Sequence, residues 1–268
     1  MGILETICDE RRVDAARMRR ARPPSSLARE AGPPRPAFAG AGANAGANAG
    51  ANAEPLLIAE CKKASPSRGL MLNDYDPVSL ALAYERGGAR MISVLTEPRR
   101  FLGSDENLSA VRGAVGLPVL RKDFIVDPYQ ILEAWAIGAD AILLIAAALE
   151  ESEMLELAAA ARELKLGTLI EVHNEAEISK LRSIKSNAIG VNSRDLRDFS
   201  VDPGRATALF RLLPEGALRV AESGMKGPKD AAALRAAGFD AFLVGEALAT
   251  APDPETMTRA FVTAITEK

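Results

Sequence analysis

The chain has 268 residues, 48% of them apolar and 26% charged, with a net charge of −3 at neutral pH. This composition suits one large globular domain and gives no electrostatic reason to expect nucleic acid or a membrane surface as partner. Cys8 and Cys61 form no CxxC pair and cannot hold a metal alone, and no apolar run approaches the ~20 residues of a membrane span, so a reduced, cytoplasmic setting is expected.

In chain order, the first twenty residues turn charged rather than apolar, which argues against a secretory signal. Gly2 and Thr6 fit a myristoylation pattern in letters, but so loose a pattern recurs by chance. Ile3, Leu4 and Ile7 read instead as the apolar face of an amphipathic helix. Residues 1–38 are expected to form an N-terminal helical extension. Residues 39–54 follow as a low-complexity linker, with Gly-Ala-Asn-Ala repeated from Gly42, Gly46 and Gly50 and no large apolar side chain to bury.

Residues 55–268 then alternate short apolar runs with helical patterns. The runs predict eight strands, at 56–62, 91–95, 119–122, 141–145, 168–172, 188–192, 219–222 and 241–245. Most are nearly continuous in apolar residues, as parallel strands covered on both faces should be. Between them, Met154, Leu157, Ala158, Ala161 and Leu164 form a helical stripe behind Glu150, Glu151 and Glu153, whose charges suit a helix N-terminus. Pro228 suits a first helical turn, and Met257, Ala260, Phe261 and Ala264 predict the buried stripe of the last helix. Gly138-Ala139-Asp140-Ala141 and Gly238-Phe239-Asp240-Ala241 form a weak repeat in which Gly ends a helix and Asp opens the turn into a strand. Eight such βα units predict an α/β fold, a closed (β/α)8 TIM barrel behind the helical extension. A doubly wound open sheet is the alternative, but no G-x-G-x-x-G follows the first strand.

A parallel barrel carries its site at the C-terminal ends of its strands, and there this sequence places its polar residues. Glu60 and Lys62 end the first strand on one face, and Lys122 and Phe124 share that spacing at the third. Glu171 ends the fifth, Asn192 and Arg194 follow the sixth, and Glu222 ends the seventh. Inward projection would gather three carboxylates, two ammonium groups and an amide at one mouth. Salt bridges capping the core would be the purely structural explanation, but buried ion pairs are weak stabilising devices. Ser223-Gly224 and Gly245-Glu246, after the seventh and eighth strands, could offer backbone N–H groups to a phosphate, or only make tight turns. His173, two residues beyond Glu171, reads as a supporting residue. Cys61 faces the outer helices as a packed thiol, and Trp135 reads as core.

These residues lie in longer strings. Ile58-Ala59-Glu60-Cys61-Lys62-Lys63-Ala64-Ser65-Pro66-Ser67 resembles the first-strand signature of indole-3-glycerol phosphate synthases. Ser93-Val94-Leu95-Thr96-Glu97 with Phe101 resembles that family's second strand and mobile loop, and Leu120-Arg121-Lys122-Asp123-Phe124-Ile125-Val126 its third-strand motif. Leu169-Ile170-Glu171-Val172-His173, Gly190-Val191-Asn192-Ser193-Arg194-Asp195-Leu196 and Ala221-Glu222-Ser223-Gly224 resemble the later strands, in order and spacing. One departure is the Gly-Ala-Asn repeat, which occupies much of the approach to the first strand where the family usually has a helix.

The resemblance implies conversion of 1-(2-carboxyphenylamino)-1-deoxyribulose 5-phosphate to indole-3-glycerol phosphate, CO2 and water in tryptophan biosynthesis, by a ring-closing, decarboxylating carbon–carbon lyase without metal or organic cofactor. It implies a catalytic set of Glu60, Lys62, Lys122, Glu171, Asn192, Glu222 and Ser223. Lys122 would be the general acid, expected to carry a lowered pKa in a cationic mouth. Glu171 would be the base for dehydration, and Lys62 would contact the anionic substrate or share in proton transfer. Glu60, Asn192 and Glu222 would position these groups. Substrate contact would fall to Ser65, Phe101, Phe124, Leu143, Arg194, Gly224, Leu243, Gly245 and Glu246, with Ser223, Gly224, Gly245 and Glu246 as the phosphate cradle. Other tryptophan-pathway enzymes are the macromolecular partners it implies. Phosphoribosylanthranilate isomerase, another phosphate-binding barrel, is a competing expectation that would need a Cys/Asp pair in the mouth, and Cys61 faces the wrong way. A non-catalytic phosphate-binding barrel is another, against which Lys122 and Glu171 both stand.

Overall fold

A computed structural model describes residues 2–39, 54–196 and 199–267. The strands are β1 (Leu56–Cys61), the hairpin strands β2 (Ala64–Ser65) and β3 (Gly69–Leu70), β4 (Met91–Leu95), β5 (Val119–Lys122), β6 (Ala141–Ile145), β7 (Gly167–Val172), β8 (Ala188–Asn192), β9 (Leu218–Glu222) and β10 (Ala241–Val244). Eight close into a parallel barrel in the order β1-β10-β9-β8-β7-β6-β5-β4, with β1 paired to both β10 and β4. β1, β4, β6, β8 and β10 are buried at every residue, because the lumen covers one face and the helices the other. A fully buried side chain such as Ile58 contributes about 1.5–3 kcal/mol of transfer free energy.

The helices are α1 (Ile3–Ala21), α2 (Pro77–Arg86), α3 (Asp105–Ala114), α4 (Pro128–Ala136), α5 (Glu151–Glu163), α6 (Glu175–Ser179), α7 (Arg205–Leu209), α8 (Pro228–Ala236), α9 (Glu246–Ala249) and α10 (Pro254–Thr266). Asp-Pro opens α2, α4 and α10. The aspartate accepts backbone N–H groups of the first turn while the proline supplies a helical φ at a position with no N–H to lose. The Gly-x-Asp-Ala repeat works as a joint. Gly138 and Gly238 take positive φ at the helix ends, and the Asp140 and Asp240 carboxylates accept an N–H at the start of the preceding strand, from Val119 and Arg219.

Four predicted strands match their observed bounds, and the other four differ by one residue at one end. Lys62 leaves the ladder after Cys61, and Gly245 turns into α9. The last helix differs more. Its buried residues are Thr258, Phe261 and Ile265, whereas the predicted Ala260 is exposed, because α10 packs against both α2 and α8 and turns about one residue from the predicted stripe. Trp135 is half-buried against the core rather than inside it.

Among the described residues the extension is helical only in α1 and a single turn at Pro24–Ser26. The rest is irregular chain tied to the barrel by Arg29 and Arg35, which donate to backbone carbonyls of Trp135, Ala139 and Leu117. Phe38 is buried in the core. The expected linker falls almost wholly on residues 40–53, outside the described residues.

Candidate active site

The strand ends open on one cavity of about 770 Å³. At its floor Lys122, the last residue of β5, extends into the lumen. Its Nζ donates to Glu171 Oε2 on β7 at 2.9 Å and lies 3.4 Å from Glu222 Oε2 on β9. Glu60 on β1 is buried beside them and pairs with Lys62 Nζ at 2.5 Å. Asn192 on β8 accepts the Arg194 N–H through Oδ1 at 2.9 Å, and its side chain helps hold Glu171 ionised.

Small residues make room for these carboxylates. A Cβ on Gly190 would overlap Glu222 Oε1, and one on Gly245 would overlap Glu60 Oε1. Glu171 Oε1 and both Glu222 oxygens are buried without a hydrogen-bond partner among the described residues. Burial makes such atoms costly; a bound polar substrate would satisfy those of Glu222, while Glu171 Oε1 faces the His173 ring at 3.4 Å.

The electrostatics correct one expectation. Burial opposes the Lys122 charge, but Glu171, Glu222 and Glu60 together outweigh it and hold the ammonium above the ordinary lysine range. The surroundings of Lys122 are anionic, not cationic, so its pKa is raised rather than lowered. The two carboxylates divide. Burial presses on Glu171, yet Lys122 and then His173 hold it below the usual range. Burial, with the Glu171 charge opposite, pushes Glu222 up to about 8.

Above the floor, the Phe101 and Phe124 rings pack with centroids 6.1 Å apart at an interplanar angle of 42°. Phe101 is placed by Glu97, whose carboxylate accepts the backbone N–H groups of Arg99, Arg100 and Phe101 at 2.6–2.9 Å. Arg99 and Arg100 in turn pair with Asp14 and Glu10 of α1. On the opposite side Ser223 and Gly224 both take positive φ after β9, which turns the chain sharply at the rim. The Glu246 carboxylate pairs with Arg68 at 2.6 Å and lies 3.9 Å from Arg194.

Every predicted site residue lines this cavity, including Ser65, Leu143 and Leu243. Ser67, Arg68 and Lys226 also line it but were not anticipated. They sit two or three residues beyond predicted members of the same loops, where only the folded backbone decides which side chain turns inward. Cys61 is fully buried behind β1, its Sγ against the Pro77 carbonyl at the start of α2, and burial pushes its thiol pKa up. It takes no part in the mouth.

The model of the indole-3-glycerol phosphate synthase family matches residues 4–261, from α1 through nearly all of the barrel. The chain belongs to the indole-3-glycerol phosphate synthase family. Its function is that of the family, a decarboxylating, ring-closing carbon–carbon lyase of tryptophan biosynthesis that acts on a phosphorylated small molecule. An indole-3-glycerol phosphate synthase of Mycobacteroides abscessus is 50% identical over 208 residues, covering 78% of this chain and 76% of the relative. One of Chlorobium phaeovibrioides is 52% identical over 192 residues, covering 72% and 74%. Among solved structures, a 3-hexulose-6-phosphate synthase from Salmonella typhimurium superposes with a TM-score of 0.65 over 78% of this chain and 98% of its own. At 14% identity that likeness speaks to the barrel fold alone.

Proposed function

We propose that this cavity closes the indole ring of 1-(2-carboxyphenylamino)-1-deoxyribulose 5-phosphate with Lys122 as acid and Glu171 as base. The observation that carries the assignment is the position of Lys122 Nζ at the cavity floor between Glu171 and Glu222. Ring closure joins the carboxylate-bearing aromatic carbon to the substrate carbonyl, and the carbonyl oxygen takes a proton to become a hydroxyl. An ammonium held charged by the carboxyl cluster around it can stabilise the negative charge developing on that oxygen and protonate it as it becomes strongly basic. Loss of CO2 returns the bonding electrons to the ring system. Lys122, having given its proton to the first oxygen, is reprotonated from solvent; Glu171, held ionised, then removes a proton from the new five-membered ring while Lys122 returns a proton to the hydroxyl, which leaves as water.

Glu60, Asn192 and Glu222 hold the two reacting groups and meet the substrate hydroxyls. Phe101 and Phe124 offer an apolar wall to the anthranilate ring, with Leu143 and Leu243 completing the lumen surface. Ser223, Gly224, Gly245 and Glu246 cradle the phosphate through backbone N–H groups, and Lys62, Ser65 and Arg194 supply charge and hydrogen bonds around the anionic groups. The Glu246 carboxylate, engaged by Arg68, is kept from the phosphate.

The same reading divides the chain into a helical extension at 1–38, a linker at 39–54 and the catalytic barrel at 55–268. It places the enzyme in the cytoplasm with other tryptophan-pathway enzymes as partners, as suits a biosynthetic family; no described helix is long and apolar enough to cross a membrane. Indole fluorescence after addition of the carboxyphenylamino substrate tests the chemistry. Glu171→Gln should abolish product formation, and retained turnover would remove Glu171 from the role.

A further inference from the structure

The chain has a single histidine, His173, and it stands directly behind the base. It follows β7 by one residue, and its side chain is 7% exposed, next to Glu171. Nε2 is 3.4 Å from Glu171 Oε1, and Nδ1 is 3.2 Å from Glu177 Oε2. Glu177, on α6, is itself fixed. Its Oε2 also accepts the His173 backbone N–H at 2.7 Å, and its Oε1 accepts the Asn174 side-chain amide at 2.6 Å. Glu171 Oε2 is taken by Lys122, so Oε1 is the oxygen left to face the imidazole, and neither it nor His173 Nε2 has another hydrogen-bond partner among the described residues.

Both ring nitrogens therefore look at carboxylate oxygens, which only accept. A neutral imidazole has one N–H and would set a lone pair against one of the two oxygens; the imidazolium donates to both.

We propose that His173 is a positioning residue whose imidazolium bridges Glu177 and Glu171 and keeps the Glu171 carboxylate ionised and aimed at the cavity. The proposal rests on reading Glu171 as the base. The charged and titratable groups around the pair are Lys122 on β5, Glu60 on β1, Glu222 on β9 and Glu177 on α6, with the Asn192 amide on β8. Glu60, Glu171 and, once it ionises, Glu222 share the lumen with one deep ammonium, and a second cation behind Glu171 offsets negative charge that would otherwise draw a proton onto it. Burial disfavours the imidazolium, but Glu177, Glu171 and Glu222 outweigh it and raise the histidine pKa, consistent with the geometry.

Because there is one histidine, tag-free enzyme gives a single set of imidazole resonances. Nitrogen-edited NMR should find both ring nitrogens protonated at about pH 7, and Glu171→Gln or Glu177→Gln should each lower the pH at which the ring deprotonates. His173→Gln, which keeps one donor but no charge, should lower the single-turnover rate about threefold to tenfold and leave KM within about twofold. It should also move the acidic limb of the rate profile upward by about 0.5 pH unit or more, since Glu171 then protonates more readily. A neutral ring in the wild-type enzyme at that pH would overturn the proposal even if no variant folds, and so would a His173→Gln profile with an unmoved acidic limb. Full activity in Glu171→Gln would instead remove the base assignment, while the imidazole titration still reports whether the bridge exists.

Discussion

Arg121 and Lys122 are neighbours on β5, yet they enter two buried charge clusters of opposite kind. Arg121 faces outward, where its Nε donates to Thr96 Oγ1, one terminal nitrogen to the Gln130 carbonyl and the other to Asp105 and Glu133, all at 2.9–3.2 Å. Every nitrogen is used, and the planar guanidinium suits such a fixed fork. Lys122 faces inward among carboxylates that keep three oxygens without hydrogen bonds. The outward cluster is complete and locks α3 and α4 to the sheet. The inward one is unfinished and has room beside it, which is the condition of a site awaiting a polar ligand. Burial and charge alone do not separate the two; the completeness of hydrogen bonding does.

Four measurements would break or sharpen that contrast. Arg121→Met leaves Asp105 and Glu133 facing each other without their cation, so denaturant unfolding should record a loss of about 3–5 kcal/mol. Folded enzyme should meanwhile lose far less turnover than the inward variant. Lys122→Met should lower kcat by about 10²-fold or more, whereas Lys62→Arg, which keeps charge at the rim, should mainly disturb KM. Near-normal kcat in Lys122→Met with collapse in Lys62→Arg would reverse the assignment.

A smaller effect is expected at the rim. Gly224 has φ +78° with Val201 Cγ1 3.3 Å and Ser193 Cβ 3.4 Å from where a Cβ would stand. Gly224→Val should therefore strain the turn and block approach to the phosphate, raising KM by about tenfold with kcat little changed. An unchanged KM would move the phosphate elsewhere.

The smallest effect is a stability slope. Glu222 is raised from 4.5 to about 8 in the folded state, so between those values the folded protein holds a proton that the unfolded chain has released. Its contribution is fully present below pH 4.5 and is lost as pH rises through about 8, with a slope of at most one proton. Urea midpoints across that window should decline more steeply for the wild type than for Glu222→Gln. Parallel curves would mean that Glu222 is ionised throughout.

Much of this was legible in the residue order. Eight apolar runs gave the strands because a parallel strand covered on both faces must be apolar nearly throughout, and polar residues at their C-terminal ends marked the mouth. Glu60 with Lys62, and Lys122 with Phe124, could be placed on common faces because the side-chain period of a strand is two. The Gly-x-Asp-Ala joints were readable because only a left-handed turn and a capping carboxylate suit those positions.

What escaped the residue order depended on distances between strands far apart in the chain. Whether Lys122 meets cations or anions is decided by the barrel's closure, which sets Glu171 and Glu222 within 3.4 Å of its ammonium and reverses the expected direction of its pKa. That His173 faces both Glu171 and Glu177 depends on where α6 docks, and the buried stripe of α10 on its packing between α2 and α8. Local pattern fixes which elements form and which way their side chains alternate, since those are properties of a few adjacent residues. The influence of a charge falls off with distance in space rather than along the chain, so only the tertiary structure could decide the sign of a buried group's surroundings.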